Sequence, residues 1–440
     1  MNSEPTTLLL LPHQIYDPKL FPKSITDVYL YEHPYYFTRY NFNQKKLVLH
    51  RATMKRHEHY LQSKKYKTHY LEYKDTLKLP KNYIIFNTID KLVLKPKPKQ
   101  ILESPNFLLT LEDYETYRKK TPNFMFQAFY MFGKKINDII PTVKSQDKQN
   151  RQKMPKSIKP PPLPSNKNTK DNKFIAEAQQ YVTKHFGKNY GTVDNFQYPI
   201  SHNQAEKWLQ NFFQKKFKEF GPYQDFIIEG EDYLFHSILS SSINIGLLHP
   251  KDIIEKLKPL KSKIPLNSYE GYIRQLYWRE YQRYCYLYCN FKVNYFGHTK
   301  KLTKAWYDGK TGIKPVDEAI IRGFETGYLH HIQRLMVVGN YMSLSEISPK
   351  EGLKWFMEFS IDSYEWVMYQ NVLDMVFFVT GGKTMRKPYM SSSNYIIQMS
   401  RYSKKDEWVA KWDEKYQNFL KKHKEKLWKF RYSFPALRKM

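Results

Sequence analysis

Long apolar runs, cysteines and acidic residues are all scarce in this chain of 440 residues. No apolar run approaches the roughly 20 residues of a membrane-spanning helix, so no membrane attachment is expected. The short run Thr7–Leu11 has no basic region before it, and it therefore predicts a first strand and not a signal peptide. Cys285 and Cys289 are the two cysteines, and no Cys/His set has the spacing of a zinc or iron–sulfur site. We expect a reducing setting (cytoplasm, nucleus or virion), without disulfides or secretion.

The shortage of acidic residues leaves a strong positive charge. There are 72 Lys and Arg against 42 Asp and Glu, a formal net charge of +30. An excess of this size suits a polyanion, with nucleic acid before an anionic membrane, although an AT-rich genome gives a similar composition. Aromatic residues make up 17% of the chain and favour nucleic acid, because unstacked bases pack on aromatic rings beside cations.

The first part of the chain, residues 1–140, reads as an α/β domain. Strands alternate with helical patterns, as in a parallel, Rossmann-like sheet. The sequence contains no G-x-G-x-x-G and no Walker loop, so the usual phosphate cradles are excluded. The predicted strands are Leu8–Leu11, Asp27–Glu32, Thr68–Tyr73, Tyr83–Asn87 and Asn106–Leu109, with a helix from His50 to Lys64.

The rest of the chain divides into a linker and a helical domain. Residues 141–172 are rich in Pro, Lys, Asn and Ser, which predicts a basic, solvated linker. Residues 173–440 are predicted to form an all-α domain, since apolar residues recur at spacings of three and four. The clearest helical patterns are Glu206–Phe220, Ile273–Tyr288, Val316–Gly327, Tyr328–Leu344 and Gly352–Ser360, and a C-terminal helix is predicted from Asp406 onwards.

Four segments of the helical domain carry polar residues where apolar ones would complete the pattern. Each has an ordinary structural explanation, such as helix capping, a solvated ion-paired face or simple loop packing. Each also suits binding, because hydroxyls at a helix start hold phosphate and interleaved cations and aromatic rings hold bases. The segments are 220–250 (FGPYQDF…LFHSILSSSINIGLLHP), 269–284 (YEGYIRQLYWREYQRY), 311–371 (…GYLHHIQRLMVVGN…IDSYEWVMYQNV) and 385–402 (MRKPYMSSSNYIIQMSRY).

In order, spacing and residues, these segments together resemble the cryptochrome/photolyase family. They are most similar to its branch of bacterial (6-4) photolyases and cryptochromes that carry an iron–sulfur cluster. The resemblance implies a photolyase fold: an α/β antenna-type domain, a linker, and an all-helical domain that binds FAD and DNA. It further implies that Asp362 and Asn371 face the flavin ring. The residues that would bind FAD are Tyr223, His236, Ser237, Leu239, Ser240, Asn244, Arg274, Trp278, Arg279, Asp362 and Asn371.

The same resemblance implies a light-driven repair reaction, in which reduced FAD passes an electron to a flipped-out pyrimidine dimer. Trp355 would relay electrons to the flavin, with Trp306 or Tyr307 as the next step, and Asn371 would influence the flavin ring. Glu280, His331, Met336, Tyr389 and Tyr395 would face the lesion, while Arg386, Lys387 and Arg401 would hold the DNA backbone. The expected partner is UV-damaged DNA, bound by a monomer.

The sequence also departs from the family. Relatives with the cluster have cysteines at positions matching Pro315 and Ser403, so no iron–sulfur cluster is expected here. Losing the cluster favours cyclobutane dimers as the substrate, with (6-4) photoproducts as the alternative. A signalling cryptochrome without repair activity and a flavin-free nucleic-acid-binding protein are the competing readings. Gln14 and Glu32 are candidate contacts for a lumazine or deazaflavin antenna, against an unoccupied structural domain.

Overall fold

The computed structural model describes residues 6–165 and 170–439. An α/β domain comes first and a larger helical domain follows. Among the described residues, five parallel strands form one sheet in the order β3-β2-β1-β4-β5. The predicted parallel sheet and its first four strands are thereby confirmed. The strands are β1 (Thr7–Leu10), β2 (Asp27–Tyr31), β3 (Lys67–Leu71), β4 (Ile84–Phe86) and β5 (Gln100–Leu102).

Four helices accompany the sheet. The predicted helix before β3 is confirmed, but it begins earlier than predicted because the Asn43 side chain caps it by accepting a hydrogen bond from the Lys45 amide. This helix buries Lys45, Lys46, His50 and Arg51, which is unusual for charged side chains. The helices are α1 (Pro34–Phe37), α2 (Gln44–Ser63), α3 (Leu111–Lys120) and α4 (Phe126–Ile136).

The second domain is helical, as predicted. Its α-helices are α5 (Asn172–Phe186), α6 (His202–Asn211), α7 (Phe217–Tyr223), α8 (Ser240–Asn244), α9 (Pro250–Leu257), α10 (Leu266–Tyr288), α11 (Ala305–Asp308), α12 (Lys314–Thr326), α13 (Asn340–Leu344), α14 (Pro349–Phe359), α15 (Glu365–Met368), α16 (Asn394–Gln398), α17 (Trp408–Lys422) and α18 (Lys424–Leu427). Short π-helical stretches span Phe212–Lys216, Gln333–Gly339 and Tyr369–Val376, and 3-10 turns follow α18. No helix in the described ranges is long and apolar enough to cross a membrane.

Two of the predicted helices are shortened or divided in the structure. Residues 328–330 are not helical, because Gly327 closes α12 in the left-handed conformation (φ 73°) and the chain turns before the next helix. The predicted C-terminal helix is divided into α17, α18 and two 3-10 segments, Trp428–Ser433 and Pro435–Lys439.

The predicted strand Asn106–Leu109 and the predicted lesion contact at Glu280 are both wrong, for one shared reason. Glu280 is fully buried on α10, and its carboxylate accepts hydrogen bonds from the amides of Leu108 (3.0 Å) and Leu109 (3.2 Å). The Tyr114 hydroxyl donates to the same carboxylate at 3.1 Å. These amides are therefore not available to a sheet, and Glu280 joins the two domains instead of facing a substrate.

The antenna contacts proposed from the sequence are also not supported. The Gln14 amide donates to the Phe86 carbonyl at 2.8 Å, and its oxygen accepts from the Leu11 amide at 3.1 Å. Glu32 is fully buried and is paired with Arg51 at 2.9 Å. Both side chains are buried and bonded within the protein.

The basic linker is not solvated throughout. Asn150 and Met154 are buried, and Met154 joins a small apolar cluster with Tyr223, Phe226 and Phe235. The amide of Gln152 donates to the Pro222 carbonyl at 3.1 Å. This part of the linker is therefore packed against the helical domain, next to the start of segment 220–250.

We expect Glu280→Gln to destabilise the protein by about 2–3 kcal/mol, because a carboxamide leaves a buried N–H donor facing another donor. The measurement is the thermal unfolding midpoint. Glu115→Gln is the matched control, since its carboxylate accepts from the Tyr288 hydroxyl at the surface and contributes little. An unfolding midpoint equal to that of wild type would contradict the joining role of Glu280.

Candidate active site

A cavity of about 840 Å³ opens in the helical domain. This volume lies in the upper part of the range for cofactor and ligand sites. Its wall includes residues of α8 and α10, two of the π-helical stretches, and the loop 387–395. Linker residues Asp147 and Arg151 also contribute to it.

The Asp362 carboxylate is the most strongly bonded group on the cavity wall. Arg334 pairs with it through both terminal nitrogens, at 2.9 and 3.2 Å, and the Ser240 hydroxyl donates at 2.6 Å. The Asn244 amide donates to the Asp362 carbonyl at 2.8 Å. Burial raises the pKa of Asp362, but Arg334 and the hydroxyl donors outweigh it and leave the pKa below its usual value. Asp362 is therefore a fixed anion.

A second part of the wall carries side-chain nitrogen atoms that lack partners among the described residues. Arg279 donates through Nε to the Asn244 side-chain oxygen at 2.9 Å, while its Nη2 has no partner among the described residues. The same holds within the described ranges for Nε of Arg274 and Nε2 of His236. Burial lowers the pKa of Arg279 to about 10, so the group remains charged at neutral pH. Buried unfilled donors of this kind suit an anionic ligand such as a diphosphate.

Three histidines stand together at the cavity and differ in exposure. The rings of His236 and His330 stack at 4.8 Å between centroids, and both are buried. Burial lowers the pKa of His236 to about 3, and it lowers the pKa of His330 well below its usual value. These two are therefore neutral. His331 is 42% exposed, and its Nε2 lies 3.0 Å from the Asp225 carboxylate.

Asp225 connects His331 with Arg151 of the linker. It is buried, the Tyr395 hydroxyl donates to it at 3.4 Å, and Arg151 approaches it to 3.3 Å. Burial raises the pKa of Asp225, but the hydrogen bond to His331 and the charge of Arg151 leave it below its usual value. An ionised carboxylate thus orients an accessible imidazole, which is an arrangement suited to proton transfer.

The cavity brings together most of the residues that the sequence nominated. Those of the FAD set are His236, Ser237, Leu239, Ser240, Asn244, Arg274, Trp278, Arg279, Asp362 and Asn371, and those of the lesion and DNA sets are His331, Met336, Lys387, Tyr389 and Tyr395. The Asn371 amide donates to the Val367 carbonyl at 2.9 Å, so part of its bonding capacity is used within its own helix.

Other nominated residues lie elsewhere. The expectation that Tyr223 belongs to the FAD-binding set is corrected here. Its ring packs on Phe235 and lies outside the cavity. Trp355 is fully buried next to Phe356, which lines the cavity. Arg386 and Arg401 are exposed and do not line the cavity.

The sequence reading missed several wall residues. Gln275 and Gln282 occupy α10 at helical spacing from Trp278 and Arg279, which a helical-wheel comparison could have revealed. No sequence pattern indicates Asp225 and Arg151, because they come close together only through the path that the linker takes in the fold. Arg334 stands three residues after His331, but a cation on a helix is usually solvated.

Two family models match this chain. Residues 272–436 match the FAD binding domain of DNA photolyase. Residues 8–93 and 77–198 match the model described as deoxyribodipyrimidine photo-lyase-related protein. The first match contains most of α10, the histidine pair and Asp362, and the second contains nearly all of the parallel sheet.

The chain is also similar to individual photolyases and to a cryptochrome. A (6-4) photolyase of Agrobacterium fabrum is 35% identical over 270 residues, which are 58% of this chain and 53% of that protein. The chain thus matches about half the length of this relative. Two solved structures share the fold at a TM-score of 0.59: a bacterial class III photolyase from Agrobacterium tumefaciens (12% identity, 91% of this chain, 87% of the other) and a cryptochrome of Synechocystis (14%, 91% and 89%).

We expect Arg279→Met to weaken FAD binding by about 10- to 100-fold, because one charge-assisted hydrogen bond contributes about 1.5–3 kcal/mol. Flavin fluorescence titration of the apoprotein measures the dissociation constant. Arg283→Met is the matched control, since Arg283 is buried one turn further along α10 and pairs with Glu103 outside the cavity. Equal dissociation constants for the two variants would remove Arg279 from the binding site.

Proposed function

The chain belongs to the photolyase/cryptochrome family, and we propose that it is a light-driven DNA photolyase that uses FAD to split UV-made pyrimidine dimers. The observation that carries the proposal is the pair formed by His331 and Asp225 at a cavity of FAD-binding type. Such a pair offers an accessible proton donor at the cavity, which a repair reaction on a bound base can use.

The cavity residues fit FAD by the chemistry of their donors. The unfilled nitrogens of Arg274, Arg279 and His236 suit the diphosphate. The pair formed by Arg334 and Asp362 suits the polar edge of the ring, and apolar side chains of the wall exclude water. When bound and reduced, FAD supplies the light-excited electron that opens the dimer.

The lesion type follows from proton chemistry. A cyclobutane dimer returns to two pyrimidines by breaking two carbon–carbon bonds, with no net proton transfer between the bases. A (6-4) photoproduct must also return a hydroxyl or amino group from one base to the other, which requires a proton donor. In this proposal His331 would provide that proton, and Asp225, 3.0 Å from its Nε2, would orient it. We therefore propose (6-4) photoproducts as the substrate, and the 35% identity to a (6-4) photolyase supports this choice.

Cyclobutane dimers remain the second candidate, because the chain has only two cysteines. Pro315 and Ser403 stand at the positions where cluster-bearing relatives have cysteine. Four cysteine ligands for an iron–sulfur cluster are thus not available in this sequence. We propose that the protein works without such a cluster, so that the substrate of cluster-bearing relatives does not transfer automatically.

DNA would approach from the side of the loop 387–395. Lys387, Tyr389 and Tyr395 line the cavity there, and Arg386 is exposed beside them. Aromatic rings next to cations stack extruded bases and neutralise phosphates. Met336 adds an apolar contact on the same wall.

The test presents reduced protein with two DNA duplexes, one with a (6-4) photoproduct and one with a cyclobutane dimer, under blue light. We expect restoration of the (6-4) duplex, and loss of this activity by about 100-fold or more in His331→Asn, because the proton donor is removed. His59→Asn, an exposed histidine on α2, is the control. Restored DNA is measured by chromatography.

Three other outcomes would contradict the proposed substrate, the repair activity or the role of His331. Repair of the cyclobutane dimer alone would replace the proposed substrate. Repair of neither duplex by a preparation that holds FAD would exclude a repair enzyme and leave a cryptochrome. Full activity of His331→Asn would remove His331 from the reaction.

Trp355 is proposed as an electron relay to the cavity. Its indole donates to the Trp306 carbonyl at 2.7 Å, and its ring lies 5.6 Å from Phe324, which in turn lies 5.9 Å from Tyr307. Trp355 thus connects the cavity wall with both residues that the sequence nominated as the next step. Its ring also lies 5.1 Å from Phe356, the neighbour that lines the cavity.

We expect Trp355→Phe to slow light-driven bleaching of bound FAD by at least about tenfold, since phenylalanine is far harder to oxidise than tryptophan (tenfold is about 1.4 kcal/mol in barrier). Absorbance at constant illumination with an external reductant gives the rate. Trp366→Phe is the control, because Trp366 is equally buried but packs on Phe107 instead. Unchanged bleaching in Trp355→Phe would exclude the relay.

A further inference from the structure

The segment Ser360–Trp366 lies between the two domains and has one face on each. On the cavity side it carries Asp362. On the other side the Tyr364 hydroxyl lies 2.9 Å from Nε2 of His50, and the Trp366 amide donates to Asp90 at 3.1 Å. Residues of the α/β domain thus bond to the side of this segment that faces away from the cavity, while the Asp362 carboxylate lies on the cavity side.

Lys46 of α2 contacts the residue next to Asp362. It is 1% exposed, and its ammonium group donates to the carbonyl of Ser363, the residue next to Asp362. The Ser363 hydroxyl lies 3.5 Å from the same nitrogen and donates to the Ser360 carbonyl at 2.8 Å. Above the ammonium group lie the rings of Phe42 at 4.5 Å and Tyr364 at 4.8 Å. Burying a cation costs free energy, which its hydrogen bond, the two ring faces and the attraction of nearby carboxylates offset in part.

The charges around Lys46 come from several elements. Asp362 and Asp90 attract its positive charge, and Glu365 acts on Asp90 in turn. His50 and His13 are neutral, because burial lowers the pKa of each far below 6.5. The titratable and charged groups that face this region are Asp90, Asp362, Glu365, His13, His50, Tyr36, Tyr364 and, through Asp362, Arg334.

Protonation of this group changes near neutral pH. Burial lowers the pKa of Lys46 to about 7, against the attraction of Asp362 and Asp90. Burial, and then the charge of Glu365, raises the pKa of Asp90 to about 7. The ammonium form is therefore present below about pH 7 and is lost as the pH rises through that value.

We propose that Lys46 is a positioning residue for the FAD site: its ammonium group fixes the Ser363 carbonyl, and thereby the pairing of Asp362 with Arg334, from the α/β domain. This inference rests on the proposed binding of FAD in the cavity. It gives the first domain a direct part in cofactor retention, separate from any antenna, and it makes FAD binding weaken as the pH rises through neutrality.

The test compares Lys46→Met with Lys45→Met. Lys45 is the adjacent residue, equally buried, and its ammonium group donates to the carbonyls of Thr192 and Asp194, away from segment 360–366. We expect Lys46→Met to raise the FAD dissociation constant about tenfold at pH 6, as one charge-assisted hydrogen bond predicts. It should also abolish the weakening between pH 6 and 8.5, which Lys45→Met retains. Fluorescence titration of the apoproteins at several pH values gives both quantities.

Asp90→Asn is a second variant for the case that Lys46→Met does not fold. It keeps the oxygen that accepts from the Trp366 amide but removes the anion that stabilises the ammonium form. The midpoint of FAD weakening should therefore move down by about one pH unit.

Two results would overturn the inference: wild-type affinity and pH dependence in folded Lys46→Met, or an unmoved midpoint in Asp90→Asn. Failure of the wild-type protein to bind FAD is a different result, since it would contradict the proposed function itself.

Discussion

The Asp362 carboxylate is the group on which the rest of the site depends. Removing an anion from water costs several kcal/mol unless donors surround it. Arg334, two serine hydroxyls and the nearby charge of Lys46 meet that cost from separate parts of the chain. Arg334 and the two hydroxyls must come within hydrogen-bond distance of the carboxylate, and Lys46 of α2 must bond to the adjacent Ser363 carbonyl. The buried charge therefore depends on the relative places of α2, α8 and the π-helical stretch 333–339.

Local patterns predicted much of the fold and the wall of the cavity. Apolar periodicity located α10, α12 and α14, and the motif around Ser240 located residues that do line the cavity. The failures share a cause. Glu280 and Tyr223 neighbour true wall residues in sequence, but a rotation of about 100° per residue turns adjacent helical side chains to different surroundings. Asn106–Leu109 has strand composition, yet its amides bond to Glu280, a partner 171 or more residues away.

The histidine cluster shows how burial divides one residue type between two tasks. His236 and His330 are enclosed and neutral, so they can accept or donate hydrogen bonds without adding charge next to Arg334 and Arg274. His331 adjoins them but reaches solvent and a carboxylate. The sequence shows only two adjacent histidines and a third about 95 residues earlier. The difference in exposure and in bonding partners arises from the tertiary fold.

Two of the π-helical stretches, Gln333–Gly339 and Tyr369–Val376, hold Met336 and Asn371 at the cavity. A π turn contains about one residue more than an α turn, so each stretch stores an extra residue in an otherwise regular helix. Deleting a single residue there could restore an α-helix without breaking the fold, but it would rotate the following side chains by about 100°. The number of residues in each of these helices therefore determines which side chains reach the cavity. Deletions there could change function while the protein still folds.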